Sequence, residues 1–112
     1  MKFLMTYEAS SPTPPSQETL AALGQFTVEM IQAGVVKLTG GLQRPSKSTR
    51  LKFEAGKLSV TDGPFAETKE VIDGFALIEV GSREEALKMA ERFLRIAGDG
   101  EGEVLQVFEQ GT

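Results

Sequence analysis

The chain contains no histidine and no cysteine. That removes disulfides, thiol nucleophiles, zinc sites built on Cys or His, and every Ser-His or Cys-His catalytic arrangement. The chemistry that remains belongs to carboxylates, hydroxyls and basic side chains. Asp62, in Asp62-Gly63-Pro64, is the candidate catalytic group, and two readings fit it. In one the tripeptide is a turn: aspartate bonds its own backbone, glycine supplies an unusual φ and proline sets the exit. In the other Asp62 is a carboxylate at a pocket mouth, acting as base or polar anchor, because burial can shift an aspartate into the acid–base range. Lys69 either shares a solvated surface with Glu67, where an exposed ion pair contributes about 0–1 kcal/mol, or supplies positive charge to an anionic ligand or to Asp62. Phe65 is a core plug or a wall on which a ligand ring stacks. Tyr7 is an amphipathic rim residue or a hydroxyl donor into a pocket. Lys69, Phe65 and Tyr7 are therefore the candidate ligand-binding residues.

Other clusters point elsewhere. Gly40-Gly41 lacks the spacing of a phosphate loop and reads as a bulge or bend. Arg44 and Arg50 can meet a carboxylate or phosphate, or simply stay solvated. Asp99, Glu101 and Glu103 alternate with glycines without calcium-loop spacing, which reads as a flexible acidic turn. Ser10, Ser11 and Ser16 have no general base among neighbouring residue types. Neither a metal nor a cofactor is called for.

These residues need elements to hold them. Residues 2–7 alternate as a first strand. Pro12, Pro14 and Pro15 make a loop, and Ser16 caps a helix with Leu20, Leu23, Phe26, Thr27, Met30 and Ile31 on one stripe, ended by Gly34. Val35–Leu42 is a second strand. Thr49–Glu54 and Lys57–Thr61 flank Ala55-Gly56 as a hairpin. Ile72–Val80 is the central strand. Ser82 with Glu85 forms a capping box for a second helix that buries Ala86, Leu87, Ala90, Phe93, Leu94 and Ala97 and stops at Gly98. Val104–Glu109 is the last strand. Two β-α-β halves around an inserted hairpin predict an α+β, ferredoxin-like sandwich, with two helices on one face of an antiparallel sheet.

The strands are apolar on both faces, where a sheet with one wet face would alternate apolar with polar. Two helices cover one face only. Each large apolar side chain is worth roughly 1.5–3 kcal/mol when buried, so the second face predicts a homodimer packed sheet to sheet, with a pocket near the seam. The 112 residues carry a net charge of −4, with a sequence pI near 4.9. That size fits one domain, 1–112. The charge disfavours nucleic acid and anionic membranes as partners. Met1–Tyr7 is too short a run for a signal-peptide core, and no stretch of about 18 apolar residues exists, so a cytoplasmic location is expected.

Val60-Thr61-Asp62-Gly63-Pro64-Phe65-Ala66-Glu67-Thr68-Lys69-Glu70 is the distinctive segment. It resembles the signature of the DGPF branch of the YCII-related proteins. The likeness continues through Val71–Phe75, Ile78-Glu79-Val80, Ser82–Ala86 and Gly41-Leu42, although Asp73 stands where the pattern has glycine. The resemblance implies a dimeric α/β barrel of ferredoxin-like subunits. It also implies mostly small bacterial proteins of unestablished reaction, some encoded near extracytoplasmic-function sigma factors. The YCII branch proper is associated with a His-Asp pair; without histidine only the carboxylate, Asp62, has a counterpart.

Two functions compete. One is a small-molecule binding protein with its pocket near Asp62 at the homodimer seam, with cofactor-free enzymatic activity left open. The other is a non-catalytic accessory module of a sigma-factor response, bound to another protein. A heme-dependent monooxygenase of the dimeric barrel type ranks below both, since the usual proximal histidine is missing.

Overall fold

The computed structural model of the chain describes residues 1–11, 13–42, 49–62 and 72–108. In order these form β1 (Lys2–Ala9), α1 (Gln17–Gln32), β2 (Val36–Gly41), β3 (Thr49–Glu54), β4 (Lys57–Asp62), β5 (Gly74–Glu79), α2 (Arg83–Ala97) and β6 (Gly100–Gln106). The main sheet runs β2-β5-β1-β6, and every pairing in it is antiparallel. Both helices lie on one face. This is the ferredoxin-like sandwich expected from the sequence, with β3 and β4 as a separate hairpin. The four strands form an open sheet with β2 and β6 at its edges, so the described strands of one chain close no barrel.

Local chemistry explains the element ends. Ser16 Oγ accepts the Thr19 N–H at 3.1 Å, and Ser82 Oγ accepts that of Glu85 at 3.2 Å, each satisfying a donor that the helix leaves open. Glu85 completes its box one residue early, its Oε2 accepting the Gly81 N–H at 2.8 Å. α1 ends in a Schellman motif: Gly34, at φ 76°, donates to Ile31, and Val35 donates to Met30. In the β3–β4 turn Ala55 and Gly56 both take positive φ, 51° and 78°, which matches the twist of a two-residue hairpin.

The core lies between the helices and the sheet. Phe3 and Met5 of β1, Val36 of β2 and Ile78 of β5 meet Phe26 of α1 and Ala86 and Met89 of α2. The remaining β1 positions, Lys2, Leu4, Thr6 and Glu8, fall on the other face, where Leu4 stands opposite Leu77 and Leu105. Lys2 and Glu79 close a cross-strand ion pair there at 3.9 Å.

Several expectations change. α1 turns its Phe26–Met30 arc inward, and Leu20 and Ile31 of the expected stripe are exposed. The bulge falls between Val36 and Leu38, whereas Gly40 and Gly41 pair regularly with Phe75 and Gly74. A Cβ at Gly40 would come within 3.1 Å of the Phe75 ring, so this glycine makes room for an aromatic neighbour. The last strand begins at Gly100 and ends at Gln106, so the supposed acidic turn is mostly strand: Glu101 pairs with Glu8, and Glu103 with Thr6.

Candidate functional site

Phe26 and Thr27 of α1, Met89, Ala90 and Phe93 of α2, and Met5, Tyr7, Ala76 and Val104 of the sheet surround a cavity of about 610 Å³ between the two layers. Its walls are mostly apolar because these are the inward positions of amphipathic elements. Polar groups enter at the edges, where Thr39, Arg83 and Glu91 also line it. The guanidinium of Arg92 lies 5.0 Å from the Phe26 ring centre, linking the two helices by a cation–π contact.

Tyr7 is the best-defined group of the site. It follows Phe3 and Met5 on the inward face of β1. Its ring meets that of Phe93 edge-on, with centroids 5.2 Å apart and planes at 78°. Its hydroxyl donates toward the carbonyls of Gly98 and Asp99, at 3.4 and 3.3 Å. Gly100 provides the space, since a Cβ there would sit 2.6 Å from the ring and 2.8 Å from the hydroxyl. Burial raises the Tyr7 pKa above the ordinary phenol value, and the negative charges of Asp73 and Asp99 raise it further. At neutral pH the group is therefore a protonated hydroxyl, a hydrogen-bond donor rather than a nucleophile.

Asp73 is the residue that sequence reasoning missed. Its Oδ2 accepts the Ala9 N–H at 2.7 Å, its own N–H donates to the Tyr7 carbonyl at 2.7 Å, and its carbonyl accepts the Leu42 N–H at 2.8 Å. It ties the end of β1 to the segment after β2 and places negative charge beside the Tyr7 phenol. The one available signal was its departure from the expected glycine; only the register shows that this carboxylate faces β1.

Asp62 lies elsewhere. It is the last residue of β4, exposed, paired with Thr49 across the hairpin, and it accepts a hydrogen bond from Thr49 Oγ1 at 2.9 Å. It is not among the described residues lining the cavity. Phe65 and Lys69, with Gly63 and Pro64, fall outside the described residues, as does Arg44. Of the four candidates, then, Tyr7 reaches the cavity and Asp62 sits on the hairpin. No three acidic side chains among the described residues are grouped to hold a metal, and no described helix is long and apolar enough to cross a membrane.

The model of the YCII-related domain matches residues 1–110. The chain belongs to the YCII-related family. A curated relative from Rhizobium meliloti (strain 1021) is 42% identical over 60 residues, which are 54% of this chain and 48% of the relative. The match thus spans about half the length of that relative, whose name is only "uncharacterized protein". Family membership therefore brings no reaction to this chain.

Proposed function

We propose that this YCII-related chain is a small-molecule binding domain that acts as a homodimer. It takes a compact, largely apolar ring compound into the cavity between helices and sheet, with Tyr7 as the polar anchor. The observation that carries the reading is the cavity itself. Its 610 Å³ falls in the range of ligand pockets, about 300–1,000 Å³. One wall is an edge-on aromatic pair whose tyrosine hydroxyl, its proton turned to the Gly98 and Asp99 carbonyls, presents oxygen lone pairs suited to a ring bearing an N–H or O–H donor. In this reading Asp62, exposed on the hairpin and outside the described lining of the cavity, takes no part in holding the ligand.

The test uses p-cresol and indole as probes. Saturation-transfer NMR on the wild-type protein should show both bound. Ala90→Phe, which fills the cavity from α2, should abolish the signal while far-UV circular dichroism stays that of the folded chain. Tyr7→Phe should weaken binding by about 10-fold, the worth of one hydrogen bond. Equal binding by Ala90→Phe and wild type would overturn the assignment.

A further inference from the structure

The cavity is longer than a single ring needs. Arg83, Leu87, Ala90 and Leu94 all line it, and their three- and four-residue spacing places them along one side of α2. From Arg83 to Leu94 the helix rises about 16 Å. Tyr7 belongs to the far end of this run: its hydroxyl meets the carbonyls of Gly98 and Asp99, which follow the last residue of α2. Arg83 is the first residue of the same helix. Between the two ends Met5, Met89 and Val104 keep the lining apolar, and Leu87, although 39% exposed, is part of it. A ring held at Tyr7 covers only one end.

The charge offered at the other end is positive. Glu91, also on the lining, is engaged by Arg95, 3.5 Å away and one turn on. Arg83 makes no ion pair or hydrogen bond with the described residues. Glu84 and Glu85 follow it in sequence, but neither lines the cavity, and Glu85 turns its carboxylate to the Gly81 N–H. A guanidinium at the end of an apolar path is a fork for a carboxylate, which it holds by two parallel charge-assisted hydrogen bonds. The net charge of −4 does not oppose an anion there, because exposed charges farther off than about 8 Å are largely screened at physiological salt.

We infer that the cavity takes an aryl alkanoate: a ring whose N–H or O–H donor meets Tyr7, and an aliphatic tail that runs along α2 to a carboxylate on Arg83. The inference rests on the ligand cavity proposed above and adds the chemical class of its occupant. The bare ring is then a fragment of the ligand, and each methylene of the tail adds buried apolar surface.

Isothermal titration calorimetry tests it with three probes: indole, 6-(indol-3-yl)hexanoate and the methyl ester of that acid. On the wild type the ester should bind more tightly than indole, and the acid about 10-fold or more tighter than the ester. Arg83 is exposed, so its replacement leaves the core intact. Arg83→Gln should bring acid and ester to equal affinity, and Arg83→Lys should restore part of the difference, as a point charge without the fork. Lys88→Gln removes an exposed cation of the same helix away from the cavity and should leave the acid-to-ester ratio as it is. The ratio is read within one protein, so a general loss of folding does not imitate the result. An acid no tighter than its ester on the wild type, a tail that adds nothing over indole, or a ratio that Arg83→Gln and Lys88→Gln lower alike overturns the inference, while indole binding leaves the cavity reading standing. If indole and both tailed probes all fail to bind, the cavity reading falls and this one with it.

Discussion

Replacing Gly100 by alanine tests the geometry of the Tyr7 site directly. The new Cβ would lie 2.5 Å from the Glu8 carbonyl oxygen, 2.6 Å from the Tyr7 ring and 2.8 Å from its hydroxyl. Comfortable separations are about 3.5–4.0 Å, so each contact is short by roughly 1 Å. The ring can rotate away at the cost of its edge-on contact with Phe93; the carbonyl is held in the β1–β6 ladder and cannot. Overpacking of this kind costs about 1–3 kcal/mol, offset by about 0.4–1 kcal/mol from the stiffer unfolded chain. A net loss of about 1–2 kcal/mol lowers the melting temperature of a domain this size by about 5–10 °C. Urea and thermal unfolding followed by circular dichroism measure it. Gly24→Ala is the internal control: a Cβ there meets nothing within 4 Å, and mid-helix alanine is better than glycine by about 0.5–1 kcal/mol. The two Gly→Ala changes should therefore have opposite signs. In a Tyr7→Ala background the ring clash disappears while the carbonyl clash stays, so the Gly100→Ala penalty should shrink without vanishing. A Gly100→Ala protein as stable as wild type, or a penalty indifferent to Tyr7, would refute the placement of the ring over β6.

Tyr7 is the only tyrosine and there is no tryptophan, so ultraviolet absorbance should titrate this one group, with a midpoint above that of the urea-unfolded chain; Asp73→Asn should lower the midpoint only part of the way, because burial is the larger cause. The sign for stability follows: the unfolded chain loses this proton first, so the contribution is complete below the ordinary phenol value near 10 and is lost as pH climbs through the folded value, which denaturant titrations at successive alkaline pH values would show as falling stability. Ser82→Ala removes the acceptor for the Glu85 N–H and should cost about 1 kcal/mol in urea unfolding.

The sequence by itself determined the order and kind of nearly every element. Periodicity, the caps at Ser16 and Ser82 and the glycine stops carry that information locally, because each acts within one helical turn or one strand pair. The absence of histidine and cysteine likewise settled which chemistries are closed. The start of β6 was not legible, since Gly100 and Gly102 look like turn residues alone; they are strand because they pair with Ala9 and Tyr7 of β1, more than 90 residues away in sequence, and glycine because a Cβ at either would collide there. Asp62 looked the same whether catalytic or structural, and only the hairpin register gave it Thr49 as partner. Asp73 gained its place beside Tyr7 in the same way, through the antiparallel pairing that brings Tyr7 opposite Gly74. Tertiary structure decided these points because a site is a meeting of residues far apart in the chain, and local propensity holds no information about which strands become neighbours.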